Sequence, residues 1–426
     1  MKLLARLKDH PLALFPDFRN FFIGDILVAV AERFFAITFA WWIISQDGEN
    51  GKWLGVLMAV EAIPILCLSP FVGPLIDRYN KKVCMLMGVF MQLFFVSLIA
   101  YLMAVGKLEF VYLVALSFCM SCFVPQFEDA VSASVGKLVD EEHLSGATTI
   151  QASTIEFSNI IAAALSTSII AAAGILSAVY VNLALYVIGI FFLLLIKSDL
   201  SPEEAEEGEE EEGYLQELKK GLRYVWDFKA LRWYALIYAL ETFLIVPIFI
   251  LIPMLVRYVL AESVNWVAVF EIALSAGAVL MTVLMSFRQR YRNYYPLYAS
   301  GLAAIGLAMA ALACLEDEYL MTALIFVIGM AFAALMSFSF MLFQHTVPQE
   351  LKGRFFGLMS TIAAGMAPLS YLFVGTAADY ASVDAVLLIC GIGALLLAGV
   401  VLAIPRVRQH IGYDDDGNEV ELPDED

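Results

Sequence analysis

At 426 residues the chain is 61% hydrophobic and only 16% charged, with a mean hydropathy of +0.81. That usage excludes an ordinary soluble domain and places the chain in a lipid bilayer. The formal net charge is −18, but eight Glu fall within "SPEEAEEGEEEEG" (201–213) and eight acids within "DDDGNEVELPDED" (414–426), so without those two runs it is −2. Both runs read as solvated, disordered segments, and no nucleic-acid partner is expected.

A membrane-spanning helix needs about 20 mostly apolar residues, and the sequence holds twelve such segments. The first, 19–44, is long and has no small-residue cleavage site, so it is expected to stay as a helix and not to leave as a signal peptide. Segments 53–76, 83–105, 109–133, 146–170 and 173–196 follow, and after the first acidic run come 229–256, 263–286, 294–314, 319–344, 355–378 and 383–404. The expected fold is an all-α membrane protein with an N-terminal six-helix bundle (1–196), an acidic cytoplasmic linker (197–228), a C-terminal six-helix bundle (229–405) and an acidic cytoplasmic tail (406–426). With the N-terminus in the cytoplasm, 21 of the 25 basic residues lie on that side and only Lys52, Lys107 and Arg257 lie outside. The positive-inside bias therefore puts both termini in the cytoplasm.

Six cysteines lie in or at the ends of these segments. Cys119 and Cys122 form a CxxC, but in an apolar helix without a second Cys or His pair, which reads as packing and not as a metal site. No phosphate-binding loop or set of paired metal ligands is present, so neither an enzyme nor a cofactor is expected, and ATP-driven transport is excluded within this chain.

The two sets of six helices repeat one another. "VAVAERFFAITFAWW" aligns with "IYALETFLIVPIFIL", which places Glu32 opposite Glu241, and "KWLGVLMAVEAIP" aligns with "NWVAVFEIALSAG", each with one acid, Glu61 and Glu271. Equal orientation in both halves implies a parallel repeat about a pseudo-twofold axis along the membrane normal, with a cavity between the halves.

These features, with "GPLIDRYNKK" between the second and third segments, resemble the major facilitator superfamily, in particular its efflux branch of macrolide and enterobactin exporters. The stretch carries Gly73, Asp77, Arg78, Asn80, Lys81 and Lys82 in the pattern of that superfamily's loop between helices 2 and 3, with Asn80 in place of the usual turn glycine. Asn is the residue after Gly that best tolerates a left-handed turn. "ELKKGLRYVW" (217–226), "VPQELKGRFFGL" (347–358) and "GMAPLSYLFVGTAADY" (365–380) extend the likeness. The resemblance implies a cytoplasmic latch on one alternating-access state, a bacterial inner-membrane location and a monomer. One departure is the fifth segment, where Ala162, Ala163, Ala164, Leu165 and Ser166 stand where such exporters commonly carry a Gly-Pro pair; this weakens the case for antiport.

Ionisable residues inside the apolar runs carry the functional reading. At 1.5 Å per residue, Asp25 lies roughly 9 Å and Glu32 roughly 20 Å from the inner surface, on one helix face. Glu61, Glu241 and Glu271 are expected near the same depth, with Glu156 and Asn159 of the fifth segment nearby. A charge there costs about 2.5–3.5 kcal/mol even on a lenient scale, so these groups are expected to face a watery cavity, pair with one another or carry a proton. Arg33 is the lone cation of this core; Glu61 is its expected partner, either in a coupling role or as a pair holding two helices together. Glu128 and Asp129 read as solvated or paired with the basic loop.

The resulting expectation is a secondary transporter, a proton-coupled exporter of a cationic or neutral amphipathic small molecule, with protons and the lipid bilayer as its other partners. A lysophospholipid or siderophore exporter is the alternative that the resemblance permits. A non-transporting membrane sensor would not need acids repeated in both halves.

Overall fold

The computed structural model describes residues 10–46, 50–201, 229–287, 294–346 and 352–403. The acidic run beyond Ser201, the 217–226 stretch, the start of the 347–358 stretch and the acidic tail lie outside the described residues. Within them every regular element is helical, as it must be where lipid offers backbone groups no partner. Eleven helices are long and apolar enough to cross a membrane, and a twelfth apolar helix, Pro296–Leu312, is shorter.

In chain order the helices are α1 (Pro11–Leu14), α2 (Pro16–Ile44), α3 (Gly51–Arg78), α4 (Lys81–Ala104), α5 (Phe110–Ser121), α6 (Val124–Leu138), α7 (Glu141–Ala152), α8 (Thr154–Ala173) and α9 (Ile175–Leu194). The second set is α10 (Lys229–Ile245), α11 (Ile248–Met254), α12 (Asn265–Ser286), α13 (Tyr294–Leu312), α14 (Glu318–Thr346), α15 (Lys352–Tyr380) and α16 (Val383–Ala403). Three expected single helices are broken. The fourth segment splits into α5 and α6 ahead of Pro125, and the seventh splits into α10 and α11 at Val246–Pro247, then ends in a π turn at Leu255–Val259 after Pro253. Proline lacks the N–H that an unbroken helix needs. The fifth begins at Glu141, ahead of the expected 146, because the Asp140 carboxyl accepts from the His143 N–H at 3.1 Å and caps α7. It breaks at Ser153 and ends at Gly174, whose φ of +81° turns the chain straight into α9.

The chain divides into two compact units, residues 1–209 with 263–268, and 210–262 with 269–426. In the first, α2 packs on α8 and α9. A Cβ added at Gly24 would meet Leu193 at 2.8 Å, and Asn182 Nδ2 donates to the Ala31 carbonyl at 2.6 Å. In the second, α13 packs on α14 and α16, and Gly306 and Gly391 approach so closely that a Cβ on Gly306 would lie 2.7 Å from the Gly391 oxygen. Small residues at such crossings are how helices associate where hydrophobic driving force is absent. The outward surface is apolar, with Phe71, Phe94, Tyr101 and Val111 largely exposed. Trp41 is buried, while Trp42 and Trp53 pack on Phe110 with ring centroids 5.5 and 5.3 Å apart.

Candidate functional site

In the N-terminal unit the acids of α2 are enclosed by neighbouring helices. Asp25 is buried, and the Thr154 hydroxyl of α8 donates to its Oδ2 at 3.0 Å. Glu32 is half-buried, its Oε1 is shielded from solvent without a hydrogen-bond partner, and it faces Gln92 of α4. The two acids share a face closely enough for their charges to interact, as their spacing of seven implies. Glu128 of α6, read from the sequence as solvated or paired with the basic loop, is exposed, and it also lies within charge range of both Asp25 and Glu32.

Glu61 of α3 is half-buried with Oε1 unpartnered and faces Ser117 of α5. Tyr186 of α9, fully buried, lies within charge range of both Glu32 and Glu61. Arg33 is half-buried and engaged, as is Glu156; Asn159 is also half-buried.

In the C-terminal unit Glu241 of α10 is 1% exposed, and the Tyr298 hydroxyl of α13 donates to its Oε2. Tyr238 is close to the same carboxyl, and its ring meets that of Phe343 at 5.8 Å. Glu271 of α12 is buried and engaged. The same unit contains a cavity of about 610 Å³ among α12, α13 and α14, lined by Met281, Met285, Val327, Met330, Ala331 and Phe338. One polar side chain lines it, Ser300, and its hydroxyl is already donated to the Leu297 carbonyl at 2.7 Å.

The loop after α3 differs from the sequence expectation. Asn80 has φ −62°, so it makes no left-handed turn. It is the N-cap of α4, its Oδ1 accepting from the Lys82 N–H at 3.0 Å while Nδ2 donates to Ser201 Oγ at 3.0 Å and to Asp199 Oδ1 at 3.4 Å. Asn80 thus caps α4 and clips the chain at Asp199 and Ser201 at once. Lys82 Nζ donates to the Leu194 and Ile196 carbonyls at 3.0 and 2.6 Å, and the N–H of buried Lys81 donates to the Leu200 carbonyl at 3.0 Å. From α6, Lys137 Nζ donates to the Ser201 carbonyl at 2.7 Å, and Asp17 of α2 accepts from the Ser198 N–H at 2.7 Å. The loop therefore fastens the chain leaving α9. Hydrogen bonds from Ser201 hold the Asp199 carboxyl below its usual range. Gly73 is half-buried, and Asp77 and Arg78 are exposed.

A family model described as the Major Facilitator Superfamily matches residues 21–371. The chain is 26% identical over 367 residues to an uncharacterized MFS-type transporter, YfiS, of Bacillus subtilis strain 168, covering 83% of this chain and 86% of that protein. It is 29% identical over 203 residues to the multidrug efflux pump Tap of Mycolicibacterium fortuitum, covering 46% of this chain and 48% of that one. Among solved structures, the nucleoside transporter NupG superposes with a TM-score of 0.74 at 13% identity, over 91% of this chain and 98% of that chain, a likeness of fold alone.

Proposed function

The chain belongs to the major facilitator superfamily and is a multi-pass membrane transporter, and on that premise we propose that it exports a cationic or neutral amphipathic small molecule, driven by protons. The likeness to Tap supports efflux. The observation that carries proton coupling is Glu32: a carboxyl inside a membrane-spanning helix, with one oxygen shielded and unpartnered, near two further acids. Such a group can bind a proton on one side of an alternating-access cycle and give it up on the other. Glu61, likewise unpartnered at Oε1, is the second candidate. Glu241 is the weaker one: its Oε1 is unpartnered too, but Tyr298 already donates to its Oε2. A bacterial inner-membrane location with both termini cytoplasmic and a monomeric state complete the proposal, and in it Asp77 and Arg78 latch one of the access states.

The apolar cavity of the C-terminal half favours substrates with a sizeable apolar body. The lysophospholipid or siderophore reading is second, because Arg33 alone is thin provision for an anion. Glu32→Gln in proteoliposomes tests coupling. The variant is expected to insert and to exchange substrate across the membrane while losing accumulation against a gradient; undiminished accumulation would rule Glu32 out.

A further inference from the structure

Buried polar atoms in folded proteins almost always have partners, yet the N-terminal half gathers several that do not. Glu32 Oε1 on α2, Glu61 Oε1 on α3, both amide atoms of Gln92 on α4, Ser117 Oγ on α5 and the Tyr186 hydroxyl on α9 are shielded from solvent, and none closes a hydrogen bond. Gln92, Ser117 and Tyr186 are each 0% exposed. These groups are linked, not scattered. Gln92 lies against the Glu32 carboxyl and Ser117 against the Glu61 carboxyl, each at the margin of a hydrogen bond whose geometry is not closed, and Tyr186 lies within charge range of both acids.

We propose that these five helices enclose a hydrated chamber that carries protons between Glu32 and Glu61, with the Tyr186 hydroxyl as the bridge. The inference rests on the proton-coupled reading above and deepens it. Leaving this many donors and acceptors unmet in a dry interior would carry a desolvation penalty for each, whereas a buried water needs only two to four polar partners. The chamber suits water better than a metal: among the described residues no three His, Cys, Asp or Glu side chains converge as ligands.

The chemistry balances without a further reagent. A protonated Glu61 gives its proton to an adjoining water, which passes one of its own to the Tyr186 oxygen as the Tyr186 proton moves on, through a second water, to the Glu32 carboxylate. Each step breaks one O–H bond and forms another. The net result is a proton moved from one carboxyl to the other. A hydroxyl can donate and accept at once, and the Gln92 amide can accept from one water and donate to the next. Other charged groups bear on the two ends. Asp25 on α2 and Glu128 on α6 lie near Glu32, Arg33 follows it on the same helix, and Asp129 lies beside Glu128. Asp25 and Glu128 bias which end holds the proton.

The test uses the full-length protein in proteoliposomes with Tyr186→Phe, which keeps the ring and removes the bridge, and Gln92→Leu as a second variant. Both are expected to keep their melting temperature and substrate exchange within about twofold, while accumulation driven by a proton gradient falls at least about tenfold. A residue of purely structural importance would lower melting temperature and exchange together, and that result would overturn the proposal. Glu32→Gln run in parallel separates the two claims. If it abolishes gradient-driven accumulation and Tyr186→Phe does not, the bridge is wrong and the coupling reading stands; if Glu32→Gln leaves accumulation intact, the coupling reading falls and the bridge with it. Hydration is read independently by radiolytic hydroxyl labelling. Tyr186 is expected to be labelled despite its burial, and protection of Tyr186 while Tyr79, exposed in the loop after α3, is labelled would overturn the chamber.

Discussion

Glu32 and Glu241 align when the sequences of the two sets of six helices are laid over one another, but the interiors around them differ. Around Glu32 the N-terminal half collects carboxyls, an amide and hydroxyls with hydrogen-bonding capacity to spare. At Glu241 the Tyr298 hydroxyl satisfies one carboxyl oxygen while Oε1 stays unpartnered, and a separate cavity of the C-terminal half is apolar. Unmet polar groups suit the exchange of protons, and an apolar cavity suits the body of an amphipathic compound.

The contrast can be broken by experiment. Its largest expected effect is on transport: Glu32→Gln should cut gradient-driven accumulation by about a hundredfold or more, while Glu241→Gln should cut it less than about tenfold. Equal losses in flux assays would erase the distinction. On stability the order reverses. Tyr298→Phe removes a donor from a buried carboxyl and should cost about 1–3 kcal/mol, read as a lowered melting temperature, whereas Tyr186→Phe, which breaks no hydrogen bond within the protein, should cost clearly less. Filling the C-terminal cavity with Ala304→Leu should shift stability by less than about 1.5 kcal/mol and weaken binding of bulky apolar substrates more than of small ones; uniform affinities in a binding panel would detach the cavity from recognition.

The smallest effect concerns pH and lies outside both interiors. The bond to His143 holds the Asp140 carboxyl below its usual value of 3.8. A carboxyl depressed by folding adds stability above the unfolded-state value and loses it as pH falls through the folded one. The start of α7 should therefore loosen only below about pH 4, seen as faster amide exchange at His143, and not between pH 5 and 8.

The spans were legible because a bilayer imposes one length and one composition on every helix, and segments such as 83–105 and 383–404 differ from α4 and α16 by only a residue or two at each end. The breaks at Cys122–Phe123 and Val246–Pro247 were not read, although Pro125 and Pro247 announce them. Asn80 misled because Asn suits both a left-handed turn and a helix cap, and only the position of Ser201 and Asp199, far along the chain, decides between them. The acids at 25, 32, 61 and 241 stood out as charges in apolar sequence. Gln92, Ser117, Tyr186 and Tyr298 did not, because an uncharged polar residue in a membrane helix reads as packing until its neighbours on other helices are known.

The most direct test of the central claim, that the coupling proton is held in the N-terminal half, is the number of protons released when a cationic substrate binds, measured calorimetrically in buffers of different ionisation heat. The account predicts release from the unmodified protein, its loss in Glu32→Gln and its persistence in Glu241→Gln. Release that survives Glu32→Gln and disappears in Glu241→Gln would contradict it.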